Sequence, residues 1–274
     1  MNGEILNAVM VLGGLGIFCG VLLGLVSHYF GVEEDPRVAG VLELLPGANC
    51  GACGFAGCAD FARAIVTQGA PVNQCAPGGN AVAGAVAAFL GVKAELCERK
   101  TAIVLCKGGH KEARRKFAYN GVADCAAAVL VAGGDKACAY GCLGLGSCAR
   151  ACPVNAIEIT DNGLAVVHAE LCIGCGKCVA ACPRQLIQLV PESAEYHVLC
   201  SSKDRGPVVR KVCTAGCIGC TLCAKAAPES LKMEGALAVM DYTKPLADPV
   251  VAAKCPQKTI VQRSGCREEA SICA

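Results

Sequence analysis

The sequence predicts an α+β chain carried on one N-terminal membrane helix, and three observations point to it. Residues 5–32 hold no Asp, Glu, Lys or Arg. Cysteine makes up 24 of 274 residues, much of it in closely spaced groups beside glycine. Between two of those groups, AIEITDNGLAVVHAE at 156–170 alternates apolar and polar residues as a β-hairpin does, with a turn at 161–163.

The charge-free stretch is 28 residues long, and a bilayer needs about 20. A cleaved signal peptide would carry a basic start and an A-x-A site; the early charge here is Glu4, and no such site follows. The expectation is an uncleaved transmembrane helix over 1–33. Gly16, Gly20 and Gly24 recur every four residues, a stripe that lets another helix approach closely. Glu33, Glu34, Asp35 and Arg37 follow the stretch and say little about orientation.

Composition narrows what the rest can be. The net charge of +2 argues against a nucleic-acid surface, and 4% aromatics with no Trp argue against large aromatic cores. Disulfide scaffolds are usually short secreted chains, and structural zinc pairs two C-x2-C units across a longer gap. Neither fits three or four cysteines within eleven residues ending in Cys-Pro.

LLPGANCGACGFAGCADFARAI supplies Cys50, Cys53 and Cys58, and QCAPGG adds Cys75. Four thiolates are what a [4Fe–4S] cube takes, one per iron. Gly51, Gly54 and Gly57 let the loop curl around it, and a helix follows over about 59–67. This defines a small helical four-cysteine domain at 34–95.

Cys172, Cys175, Cys178 and Cys182-Pro183 reproduce C-x2-C-x2-C-x3-C-P. In two-cluster ferredoxins the fourth cysteine of such a run binds the other cluster. A second run, Cys138, Cys142, Cys148 and Cys152-Pro153, lies upstream. Crossed ligation assigns Cys138, Cys142, Cys148 and Cys182 to one cluster, and Cys172, Cys175, Cys178 and Cys152 to the other. Two clusters and a hairpin at 138–195 resemble a bacterial ferredoxin, joined to the first domain by an αβ segment at 96–137.

CIGCTLCAKAAPESL at 217–231 nearly repeats CIGCGKCVAACPRQL at 172–186, with Ala227 in place of the fourth cysteine. Under crossed ligation that position would serve a partner cluster, and residues 228–254 contain no cysteine to build one. The reciprocal ligand is kept at Cys255-Pro256. Residues 196–262 therefore read as a degenerate ferredoxin-like module, its one cluster held by Cys217, Cys220, Cys223 and Cys255, before a tail at 263–274. Because CTAGCIG at 213–219 matches CAYGCLG at 138–144, Cys213 is an alternative ligand there.

Four clusters leave Cys19, Cys97, Cys106, Cys125, Cys200, Cys213, Cys266 and Cys273. Cys106 and Cys200 sit in a second echo, IVLCKGG and HVLCSSK, each a strand ending at a small-residue turn, which suggests a duplication. The expectation is that these are buried thiols; the other reading is an extra cluster built partly from Cys97, Cys106 and Cys125. HKEARRKF at 110–117 reads as a basic, solvated helix face, with steering of an acidic redox partner as the other reading. The G-x-G of Gly144 and Gly146 lacks the strand-to-helix context of a dinucleotide site, and no nucleophile–base arrangement is present, so no catalytic residue is expected.

The order of an N-terminal membrane helix, CGACGFAGC, CAYGCLGLGSCARACP and CIGCGKCVAACP resembles the iron–sulfur B component of the Rnf complexes, membrane-bound, ion-pumping ferredoxin:NAD oxidoreductases. The first module alone is also similar to the four-cysteine domain of corrinoid iron–sulfur proteins. The resemblance implies a single-pass subunit of the cytoplasmic membrane that takes electrons from soluble ferredoxin and passes them along about four [4Fe–4S] clusters. The partners implied are other membrane and peripheral subunits, which would hold the flavins and NAD. Reduced thiolates and cluster assembly place the cysteine-rich part in the cytoplasm. The alternative is a membrane-tethered polyferredoxin serving another enzyme without a pump.

Overall fold

The computed structural model describes residues 2–29, 35–94 and 98–263. Cys97, Cys266 and Cys273 lie outside the described residues. Helix α1 (Asn2–Tyr29) contains the apolar window Val9–Val26, mean hydropathy 2.5, whose side chains are exposed. At 1.5 Å per residue its 28 residues reach about 42 Å, more than the ~30 Å hydrocarbon layer of a bilayer. Cys19 is on this helix and exposed.

The four-cysteine domain packs α2 (Pro36–Leu44), α3 (Cys58–Gln68) and α4 (Gly79–Leu90) around Val41, Phe61, Ile65 and Val86. Asp35 caps α2 by accepting the Arg37 N–H at 2.9 Å, and Gly69 and Gly91 end α3 and α4 in the left-handed conformation. Burying Phe61 and Ile65 contributes about 2 kcal/mol each.

The remainder is built twice. In the first unit, β1 (Lys100–Val104) precedes α5 (Cys125–Leu130) and α6 (Ser147–Arg150). The hairpin β2 (Ile157–Ile159) and β3 (Ala165–Val167), α7 (Lys177–Ala181) and β4 (Ile187–Pro191) follow. Strand β4 returns antiparallel to β1, Val104 opposite Ile187. In the second unit, β5 (Tyr196–Val198) precedes α8 (Gly206–Val212) and α9 (Leu222–Ala226). The hairpin β6 (Leu231–Glu234) and β7 (Leu237–Met240), α10 (Pro249–Ala253) and β8 (Ile260–Gln262) complete it. Here β8 closes on β5, Val198 opposite Ile260.

Just past the paired strands, the Leu105 N–H donates to the Leu186 carbonyl at 2.7 Å and the Leu199 N–H to Thr259 at 2.8 Å, the same bond in both units. Because β1 and β4 share one sheet, the boundary expected at 137/138 cuts through a folded unit; 96–137 is its first part and not a connector.

A second correction concerns residues 110–117, expected to be helical. They run irregularly and bridge two neighbours: Ala113 pairs with Cys213, and Arg115 with Lys136. The Arg114 N–H donates to the Val212 carbonyl and the Thr214 N–H to Glu112. Tertiary backbone pairing overrides the helical propensity of a Lys/Arg/Glu run, and the segment stitches the two units together. Arg263, at the end of the second unit, reaches Thr101 Oγ1 at 2.6 Å and the Pro191 carbonyl at 3.0 Å in the first.

Candidate metal centres

Cys58 opens α3, and its N–H donates to Asn49 Oδ1 at 2.8 Å. Asn49 sits at φ 45°, and a Cβ on Gly57 would stand 2.9 Å from that oxygen, so Gly57 leaves room for the clamp. The loop brings Cys50, Cys53 and Cys58 around Cys75. Burial pushes the Cys75 thiol up, and the neighbouring charges of Cys58, Cys50 and Cys53 add to it.

Cys152, Cys172, Cys175 and Cys178 line one cavity. The Ala156 N–H donates to Cys152 Sγ at 3.2 Å, and the Ala102 N–H of β1 to Cys172 Sγ at 3.4 Å. The Cys178 thiol is pushed up to about 11, first by burial and then by Cys172 and Cys175. Cys217, Cys220, Cys223 and Cys255 line another, in the second unit. Ala227 there packs into the apolar cluster of Leu231, Met240, Leu246 and Val251.

Three Cys-Pro loops share one geometry. Asn155, Gln185 and Lys258 have φ 51°, 52° and 48°, and Ala156, Leu186 and Thr259 then donate N–H to the sulfurs of Cys152, Cys182 and Cys255 at 3.2, 3.4 and 3.4 Å. Such backbone N–H bonds orient a ligating sulfur and tune the metal it holds.

The remaining set differs from the sequence reading. Cys142, Cys148 and Cys182 line a cavity whose fourth cysteine is Cys125, not Cys138. The Cys148 thiol is pushed up to about 12 by burial, with Cys142, Cys125 and Cys182 adding to it. Asp124 caps α5 by accepting the Ala126 and Ala127 N–H groups and holds Ser147 Oγ at 2.8 Å, while Ser147 accepts the Cys125 N–H at 2.8 Å. The Ala127 N–H, then the Ser147 hydroxyl, hold the Asp124 carboxyl below the usual carboxylate range.

The physical reason is legible in register. CLGLGSC at 142–148 aligns with CIGCGKC at 172–178 and CIGCTLC at 217–223, and Leu145 falls where the others have Cys175 and Cys220. Gly144, Gly174 and Gly219 have φ 72°, 66° and 68° at matching positions. The first run is therefore one cysteine short from within, and α5 brings Cys125 across to fill the gap. Cys138, four residues before this run, lines a separate cavity with Cys106, Cys200 and Cys213. Cys213 is accordingly not among the cysteines around Cys217.

Among the described residues, no three Cys, His, Asp or Glu side chains are grouped closely enough to hold a single metal ion. Sets of four cysteines with N–H donors on their sulfurs fit a [4Fe–4S] core, one thiolate per iron.

Comparison with known proteins finds iron–sulfur domains in two of these regions. Residues 45–77 match a family described as "Putative Fe-S cluster", and residues 135–194 match a "4Fe-4S dicluster domain". The chain is 44% identical to the B component of the ion-translocating oxidoreductase complex of Methanosarcina acetivorans, over 96% of this chain and all of that protein. It is 41% identical to the B component of the proton-translocating ferredoxin:NAD(+) oxidoreductase complex of Clostridium ljungdahlii, covering 93% of this chain and 92% of that one. A Na(+)-translocating counterpart from Acetobacterium woodii is also 41% identical, over 95% and 78%.

Proposed function

The chain belongs to the family of the B component of ion-translocating oxidoreductase complexes, and on that footing we propose that it is the iron–sulfur electron-transfer subunit of an Rnf-type ferredoxin:NAD oxidoreductase, taking electrons from reduced ferredoxin. The observation that carries the reading is the series of four-cysteine rings. We assign [4Fe–4S] ligation to Cys50, Cys53, Cys58 and Cys75; to Cys152, Cys172, Cys175 and Cys178; to Cys125, Cys142, Cys148 and Cys182; and to Cys217, Cys220, Cys223 and Cys255.

When bound, each cluster accepts or gives one electron with little change of shape. The chain's own residues hold the sulfurs in place and donate N–H groups that favour added negative charge, factors that set cluster potential. No side chain acts as a general acid or base. Cys152 and Cys182 cross between the two runs, so the paired rings are tied by the same short loops and stay at fixed separation.

In this reading α1 is a single transmembrane pass that tethers the wire to the membrane subunits, with the cysteine modules on the cytoplasmic side, where thiolates stay reduced. The two units from β1 to β8 are tandem ferredoxin-like modules. The test is purification of the tagged chain in mild detergent under anaerobic conditions. The proposal expects other membrane subunits to co-purify and the bound clusters to bleach on addition of reduced ferredoxin. A colourless, zinc-loaded chain, or a chain that purifies alone, would contradict it.

A further inference from the structure

Beyond the four rings assigned above, we propose a fifth [4Fe–4S] site, bound by Cys106, Cys138, Cys200 and Cys213 between the two units. Each unit supplies two ligands. Cys106 and Cys200 lie two residues past the equivalent strands β1 and β5, and Cys138 and Cys213 sit four residues before the equivalent Cys142 and Cys217. The four line a single cavity.

Three observations support a cluster over a nest of packed thiols. The first is hydrogen bonding to the sulfurs, repeated with the symmetry of the fold. The Cys142 N–H donates to Cys106 Sγ at 3.3 Å, and the Cys217 N–H donates to Cys200 Sγ at 3.3 Å. The second is space held open by glycine. A Cβ on Gly108 would stand 2.9 Å from Cys213 Sγ and 3.9 Å from Cys106 Sγ, so ligands from opposite units converge on one backbone atom. Gly141 and Gly216 occupy matching places beside Cys138 and Cys213.

The third is charge. Lys136 is fully buried, and among the described residues its ammonium donates to a neutral carbonyl, Gly108 O at 2.8 Å, in the loop that carries Cys106. A buried ammonium needs a balancing anion. Four thiolates around an oxidised [4Fe–4S] core carry a net charge of −2, and one-electron reduction takes this to −3.

The position gives the site its role. Cys138 and Cys142 are four residues apart, as are Cys213 and Cys217, so their Cα atoms lie within about 14 Å in any conformation. The fifth site thus adjoins the Cys142 ring on one side and the Cys217 ring on the other. Electrons would pass one at a time from the paired rings of the first unit, through this site, to the ring of the second.

The test is iron and acid-labile sulfide per chain in the anaerobically purified complex, with Cys106→Ser and Cys200→Ser made singly and together. The wild-type chain should hold about 20 iron atoms, four per cluster. Each single variant, and the double variant alike, should hold about 16, with one reduced-cluster signal missing from the electron paramagnetic resonance spectrum. About 16 in the wild type with no loss in Cys200→Ser would overturn the fifth site while leaving the four rings intact. A double variant near 12 would overturn it too, by showing that the two cysteines serve different clusters. Little or no iron in the wild type would instead sink the four-ring reading. Should Cys106→Ser misfold, Cys213→Ala and Cys200→Ser form a second pair from the other unit, under the same non-additive expectation.

Discussion

The backbone N–H of Cys142 points at the sulfur of Cys106, 3.3 Å away, although 36 residues separate them. Cys217 and Cys200 make the same bond across 17 residues. In each unit the first cysteine of one ring thus donates to a thiol of the central site, and neighbouring centres are coupled through a single peptide group.

Cys125 takes the place that Leu145 leaves vacant. Cys125→Ser should lose about four irons per chain. Leu145→Cys in that background should restore them, because position 145 lies between Gly144 and Gly146 as Cys175 lies between Gly174 and Gly176. Iron analysis of the three proteins decides it. If Cys125→Ser loses nothing, Cys125 is a packed thiol and the assignment fails.

Lys136 offsets the negative charge of the central site. Lys136→Gln keeps a donor for the Gly108 carbonyl and removes the charge. The midpoint of one cluster should fall by about 100 mV, the order expected for one unit charge at short range in an effective dielectric near 20. Potentiometric titration followed by paramagnetic resonance should show one component moving and the others fixed. A shift in none, or in all, would contradict the placement.

His197 is fully buried on β5, its Nδ1 3.2 Å from the Tyr242 hydroxyl. Burial, with the Arg263 charge adding, holds its pKa down to about 4. The unfolded imidazole, at about 6.5, binds a proton that the folded one refuses. Stability is therefore full above pH 6.5 and declines as pH falls toward 4, by about 3 kcal/mol in total. Denaturation of the anaerobic chain at pH 7 and pH 5 should show this slope, and His197→Gln should flatten it. An unchanged slope in the variant would rule out His197 as its source.

Thr221 holds φ 61° where the two matching loops have Gly146 and Gly176 at 78° and 73°. A β-branched residue in that region costs about 1 kcal/mol or more. Thr221→Gly should relieve the strain, outweighing the added freedom of the unfolded chain, and raise the denaturation midpoint of the second unit without changing iron content. A lower midpoint would show that the Thr221 side chain contributes more than its backbone strain costs.

Much of the architecture was legible because cluster ligation forces short, repeated spacings. The 28-residue apolar stretch, the four-cysteine loop and the run from Cys172 to Cys182 read directly from residue order. What escaped were ligands brought in from elsewhere. Cys125 and Cys106 have no cysteine close by in sequence, and only the Leu145 gap and the echo of Cys106 at Cys200 hinted at their roles. Treating Cys138 as the first member of its run hid both, since a residue four positions outside a loop looks like a ligand of that loop. The basic run at 110–117 misled in a different way. Its composition favours helix, but the neighbouring backbone at 212–214 and 135–137 offered it hydrogen bonds that a helix would have forgone.

The most direct test of the whole account is a cryo-electron microscopy map of the intact complex at side-chain resolution. The account predicts compact iron–sulfur density bounded by Cys106, Cys138, Cys200 and Cys213, with Cys125 completing the neighbouring ring of Cys142, Cys148 and Cys182. Density for Cys138 reaching the Cys142 cluster, with only side chains filling the space between the two units, would contradict it.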